Sequence, residues 1–421
     1  MSNLLIKNVQ VSGVEGTQDI FIEEGKIANI DKKIDVTADQ QIDATGLTLI
    51  PGMIDMHVHF RVPGGERAED FFTGSAAAIA GGVTTVCDMP NTNPPIITRD
   101  LLNKKIVQAK QEGKIDILCY IGATNNNIKE IIASQDIACG VKVYYGTSTG
   151  NLTMNNPQVL EKLIAANLRI PIVLHAEDDR VIAENEKRFQ GYNGKDIHSQ
   201  IRSREAAVTA LETILNIHAR HPESKVHITH LSTKEELELI RHAKQRGMNI
   251  TCDVTPHHLA FTTKDYERFG LLLRVNPPIR EQEDVDALWQ GIFDGTVDMI
   301  GSDHAPHLLA QKELSEYAAV PSGIPGVETS LLFLLDRLST QLNLQRLIEI
   351  TSTNAAKRFS LSGKGFIQVS AIADLVLVDR QQQTTIERQA LKTKCGWSPW
   401  EGTTFRGSII YVIKNGEVIN Q

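Results

Sequence analysis

Between residues 49 and 303, eight short apolar runs alternate with stretches of helical periodicity. No other feature constrains the fold as much, because such alternation calls for parallel strands joined by crossover helices. The first run, Leu49-Ile50-Pro51-Gly52-Met53-Ile54, leads into Asp55-Met56-His57-Val58-His59-Phe60-Arg61. The others are 83–88, 115–121, 140–145, 170–175, 225–230, 249–254 and 297–303. Helices are expected at 71–80, 99–111, 157–166, 203–219 and 234–246, with stops for three of them at Gly81-Gly82, Gly113 and Gly247. Eight such units predict an α/β fold, a (β/α)8 TIM-type barrel. An open doubly wound sheet is the alternative. No Gly-x-Gly-x-x-Gly follows the first strand, which counts against a dinucleotide-binding sheet.

The two ends of the chain have a different texture. Leu4-Leu5-Ile6, Val9-Gln10-Val11, Asp19-Ile20-Phe21-Ile22 and 26–30 are short strands, with a turn at Glu24-Gly25. Near the other end, 373–379 and 408–413 are strands, and Asn415-Gly416 is a tight hairpin turn. Chain termini often lie close together. The expected division is therefore a small β-sandwich domain from 1–50 plus 366–421, and a barrel from 51–365.

Composition excludes several classes of function. The net charge of −8 leaves no basic footprint for nucleic acid. No run of eighteen apolar residues suggests a membrane span, and no basic stretch followed by an apolar one marks a signal peptide. The five cysteines are odd in number and scattered, without a Cys-x-x-Cys, which argues against a disulfide framework or a thiolate metal site. A reducing cytoplasm is the expected location.

In a barrel, chemistry gathers at the C-terminal ends of the strands. Strand 1 brings His57, His59 and Arg61, and strand 2 brings Asp88 with Asn91 and Asn93 beyond it. Lys142 is on strand 4, His175 ends strand 5 and His230 ends strand 6. Asp303, His304 and His307 follow strand 8. On a strand, residues i and i+2 share a face, so His57 and His59 can converge on one cation, and Arg61 joins them if the strand continues. Lys142 lies between Val141 and Val143 and would point into the barrel. A lysine there loses solvation and its pKa falls. A neutral amine can take up carbon dioxide as a carbamate, whose two oxygens can bridge two cations. Asp303 suits a ligand that also shuttles protons. The set points to a two-metal hydrolytic centre. His198, His218, His221, His242, His257 and His258 are read as structural or solvated.

The segment 51–61 resembles the opening signature of the cyclic amidohydrolases. Together with Asp88-Met89-Pro90-Asn91-Thr92-Asn93-Pro94-Pro95 and Gly301-Ser302-Asp303-His304-Ala305-Pro306-His307, it is most similar to the dihydroorotase family, in its lysine-bearing binuclear zinc form. Gly140-Val141-Lys142-Val143, Leu174-His175-Ala176-Glu177, Thr229-His230-Leu231-Ser232, Val275-Asn276-Pro277-Pro278-Ile279-Arg280 and Ser398-Pro399-Trp400-Glu401-Gly402 extend the likeness over nearly the whole chain. The resemblance implies two Zn2+ per chain, held by His57, His59, His175, His230 and Asp303 and bridged by carboxylated Lys142. It makes Asp303 the catalytic acid and base. It assigns Arg61, Asn91 and His307 to the substrate carboxylate, with weaker contacts from Asn276 and the loop around Ser322-Gly323. It implies interconversion of N-carbamoyl-L-aspartate and L-dihydroorotate in pyrimidine biosynthesis, and a homodimer is one assembly it allows. The chain departs from many relatives at Val62, where they carry an acidic residue. Some dihydroorotases lack the lysine and use an aspartate instead. An allantoinase or a hydantoinase-like cyclic amidase is the rival reading, and those substrates lack the carboxylate.

Overall fold

Strands that lie between a packed interior and a ring of helices are covered on both sides, so they do not alternate polar with apolar residues. Met53–Val58, Val83–Asp88, Val141–Tyr145 and Ile172–Ala176 are buried at every position. The computed structural model of the chain describes residues 3–147, 152–192, 194–338 and 340–420. Among these, Met53–Val58 pairs in parallel with Val83–Asp88, and that strand with Asp116–Cys119. Ile121–Gly122, Val141–Tyr145, Ile172–Ala176, Val226–Ile228, Ile250–Val254 and Met299–Ile300 continue in parallel, each beside the next.

The third strand is broken only at Tyr120. Its N–H donates to Asp88 O (3.1 Å), and its buried hydroxyl donates to Met56 O (2.9 Å). The ring of strands closes where His304 bridges Val58 in parallel and His59 N–H donates to His304 O at 2.8 Å. The fold is a (β/α)8 barrel, as the alternation predicts.

Phe71–Ala80, Arg99–Glu112, Pro157–Ala165, Arg204–His218 and Lys234–Gln245 are helices, each ending within one residue of expectation. Lys234–Gln245 shows why. Thr233 and Glu236 form a reciprocal capping box, and Leu237, Ile240 and Ala243 form one buried stripe. Ile128–Ala133, Asp179–Arg188 and Gln282–Asp294 are further helices that the periodicity did not announce.

The ends of the chain meet in a separate, largely antiparallel sheet. Leu375–Thr385 pairs with Thr404–Lys414 on one side and Thr48–Pro51 on the other, and Thr48–Pro51 runs beside Leu4–Val11. Thr17–Glu23 and Lys26–Asp31 complete that edge. The two runs read at 4–6 and 9–11 are one strand with an irregularity between Ile6 and Val9, where Asn8 has a φ of 59°. Both expected hairpin turns form, with φ of 50° and 76° at Glu24 and Gly25 and of 50° and 82° at Asn415 and Gly416. Leu4, Ile6, Ile20, Leu49, Leu375 and Ile413 belong to an apolar cluster of their own. Among the described residues no helix is long and apolar enough to cross a membrane.

Candidate metal centre and active site

The C-terminal mouth of the barrel holds a pocket lined by His57, His59, Arg61, Asn91, Tyr144, His175, His230, Asn276, Asp303, Ala305, Ser322 and Gly323. His57 Nε2 and His59 Nε2 each lie 3.2 Å from Asp303 Oδ1. His57, His230 and Asp303 present ligand atoms within 4.8 Å of one another. His175 extends the row, with Nδ1 3.2 Å from His230 Nε2. Lys142 is fully buried behind it, with Nζ donating to Thr229 Oγ1 at 3.3 Å. No carboxylate lies within ion-pair distance of Lys142 among the described residues.

The protonation states follow from burial. Desolvation pushes all four imidazoles below their ordinary range. It raises Asp303 to about 7 and lowers Lys142 to about 8. Asn91 Oδ1 lies 2.8 Å from His59 Nδ1, so that nitrogen carries the hydrogen. The bare Nε2 then points at a carboxylate oxygen. Glu177 Oε2 stands 3.0 Å from His175 Nε2, on the other side of that ring from His230. The His59 lone pair and the Asp303 oxygen 3.2 Å from it repel unless a cation lies between them. Buried neutral imidazoles, a carboxylate and an unpaired buried lysine are a donor set suited to divalent cations.

Three residues of this mouth have left-handed backbone: Arg61 (φ 64°), His230 (φ 40°) and Asp303 (φ 45°). Such conformations persist only where the surroundings over-determine them. Buried aspartates do so here. Asp88 Oδ1 accepts from Phe60 N–H (2.7 Å), and Asp253 Oδ1 accepts from His230 N–H (2.7 Å). Asp55 Oδ1 accepts from His57 N–H (3.0 Å) and Ser302 N–H (3.1 Å). Arg61 therefore reaches the pocket through a turn. The strand ends at Val58 and does not carry on to Arg61.

Other expectations are redistributed. Asp88, read as a strand-end candidate, pairs with Lys105 at 2.7 Å behind the pocket. His304 turns outward to Glu69 (3.3 Å) and accepts from Gly326 N–H (3.1 Å). Asn93 packs against Gly64 and is absent from the pocket lining. His307 stands just behind the lining, with Nε2 3.2 Å from Arg61 Nη2 and 3.1 Å from Ser322 O. Tyr144, Asp55 and Asp253 went unread. An acidic residue within an apolar barrel strand was the available signal for both aspartates.

The amidohydrolase family model matches residues 48–419. The chain belongs to the amidohydrolase family. A protein of Methanosarcina acetivorans named dihydroorotase is 36% identical to this amidohydrolase, over 98% of this chain and 92% of its own length. One of Aquifex aeolicus with the same name is 35% identical over 100% and 99%. Among solved structures, the L-hydantoinase (dihydropyrimidinase) of Arthrobacter aurescens is 30% identical with a TM-score of 0.95, covering 100% of this amidohydrolase and 96% of itself. The dihydropyrimidinase of Brevibacillus agri is 27% identical with a TM-score of 0.92, over 99% and 95%.

Proposed function

We propose that this amidohydrolase is a dihydroorotase, closing N-carbamoyl-L-aspartate to L-dihydroorotate with loss of water and opening the ring in reverse. The observation that carries the reading is Arg61. Its guanidinium lines the pocket beside the histidines, where Nε donates to Pro306 O (3.1 Å) and Nη2 touches His307. Among the described residues no carboxylate lies within ion-pair distance of it, so a substrate carboxylate is the fitting partner. The named relatives agree with that choice.

His57, His59, His175, His230 and Asp303 would hold two Zn2+, with Lys142 bridging them as its carbamate. When bound, the metals would polarise the ring carbonyl and make water acidic enough to attack at neutral pH. Asp303 accepts the proton of the attacking water on its carboxylate and returns it to the leaving ring nitrogen. Closure runs the same transfers backward. It converts a dianion to a monoanion and so consumes one proton, and acid pH favours synthesis. Arg61, Asn91 and His307 orient the carboxylate, and Asn276 holds the opposite side. For the domains, we propose the division into 1–50 plus 366–421 and 51–365, supported by the separate apolar cluster of the end sheet. Residues 1, 2, 148–151, 193, 339 and 421 lie outside the described residues.

A second reading, hydantoinase, is favoured by the TM-score of 0.95 to the Arthrobacter enzyme. Turnover of dihydroorotate, hydantoin and allantoin side by side, with zinc content measured, separates the two. Preference for dihydroorotate is expected. Turnover of hydantoin without dihydroorotate would replace this reading with the second.

A further inference from the structure

We infer that His198 fixes the amide of Asn276 so that its nitrogen faces the pocket, and that this selects ligands presenting a carbonyl or carboxylate oxygen there. The inference rests on the dihydroorotase reading for the identity of the ligand. His198 sits on the short helix Ile197–Ile201, outside the barrel strands, and is 1% exposed. Its Nε2 lies 2.8 Å from Val275 O and 2.9 Å from Asn276 Oδ1. Val275 O can only accept, so Nε2 carries a hydrogen. The Asn276 atom beside that N–H must then be the oxygen, because the NH2 group would set donor against donor. The amide nitrogen is left for the pocket that Asn276 lines.

The far side of the ring is held as firmly. Burial, then the charges of Arg274 and Arg202, keep the imidazole neutral. Nδ1 is therefore bare, and Tyr317 Oη donates to it at 2.8 Å. Arg274 lies over the Tyr317 ring, 4.1 Å from its centroid. The Arg274 carbonyl accepts from Gly323 N–H (2.9 Å) and from buried Lys312 Nζ (3.0 Å). One knot thus carries Asn276 and the Ser322–Gly323 part of the pocket lining. Dihydroorotate carries ring carbonyls, ring N–H groups and a carboxylate. An amide that offers only N–H admits it in orientations that bring an oxygen to Asn276 and rejects those that bring a ring N–H.

His198 is a positioning residue, and the test is a double-mutant cycle with a rescue. His198→Leu is expected to raise KM for dihydroorotate about tenfold, the scale of one oriented hydrogen bond, with kcat changed less than about threefold and zinc content intact. His198→Gln, whose amide N–H can replace Nε2–H, should stay within about threefold of wild type. In an Asn276→Ala background, His198→Leu should add nothing to KM. Equal impairment by Leu and Gln, no effect of Leu, or an undiminished effect without the Asn276 amide would each overturn the inference. Should His198→Leu fail to fold, Tyr317→Phe on the outer loop replaces it. A smaller KM rise that vanishes with Asn276→Ala supports the inference, and one that persists overturns it. Wild type inactive on dihydroorotate would defeat the functional reading alone, and the same cycle would then be run on hydantoin.

Discussion

Arg61 and Lys142 are the residues where a single substitution says most. Arg61 touches no metal-ligand atom in the hydrogen-bond network, so Arg61→Met should keep its zinc. It should lose about 2–5 kcal/mol of transition-state binding for dihydroorotate, the range for removing one partner of a buried charge pair. Lysine should rescue poorly, since it lacks the planar two-pronged donor. The check is kcat/KM for dihydroorotate against an uncharged ring analogue, and equal loss on both would remove Arg61 from carboxylate recognition. Lys142→Ala should lose most of the metal from one position, measured by metal analysis, and short carboxylic acids should partly restore it. Full metal content in that variant would exclude the bridging role. Both residues were legible in the sequence because strand ends collect chemistry and because Lys142 interrupts an apolar run. The role of His198 was not. Its partners, among them the Val275 carbonyl and the Asn276 amide oxygen, are ones that only the folded chain brings close.

At the scale of elements, the barrel strands were readable because double burial leaves a dense apolar signature. The turn at Arg61 was not, since it depends on Asp88 accepting from Phe60 across two strands. The first of the two joints between sheet and barrel is a single residue. Thr48–Pro51 belongs to the end sheet and Met53–Val58 to the barrel, and Gly52 separates them. A Cβ at Gly52 would stand 2.2 Å from Thr84 Oγ1 and 2.8 Å from Thr84 Cβ. Thr84 is buried on the second barrel strand and has nowhere to retreat. Gly52→Ala should therefore destabilise by about 1–3 kcal/mol through overpacking. Adding Thr84→Ala should return part of the loss. Urea midpoints of the four variants measure it, and strict additivity would place the strain elsewhere.

At the scale of the whole molecule, the termini are joined to the barrel by apolar packing, with Trp400 stacked on Phe261 (centroids 4.6 Å apart), by charge and by one indole hydrogen bond. That the ends meet was legible from their shared strand texture, but what binds them to the barrel was not. Asp116, which opens the third barrel strand, lies 2.7 Å from Lys364 Nζ and 3.0 Å from Lys414 Nζ, and Lys414 also reaches Asp374 at 3.1 Å. Burial works to raise the Asp116 carboxyl, but the two ammonium groups outweigh it and hold it below the ordinary 3.8. A depressed acid contributes stability above its unfolded value and loses that contribution as pH falls through the folded one. Unfolding midpoints should thus drop below pH 3.8, and less steeply in Lys364→Met/Lys414→Met.

The indole is Trp397, 2% exposed, whose Nε1–H donates to His307 O at 2.8 Å. It comes from the C-terminal segment, 90 residues after the histidine it holds. Glu69 fastens the same segment, accepting from Lys394 N–H and Thr393 Oγ1 while facing His304. The last part of the chain therefore sets the height of His307 beside Arg61. Trp397→Phe keeps most of the ring and deletes the donor. One such bond is worth about 0.5–1.5 kcal/mol, so KM for dihydroorotate should rise roughly two- to twelvefold. Zinc content should not change, because no ligand strand is touched. A fall in zinc with KM unchanged would mean that Trp397 supports the barrel and not the substrate mouth.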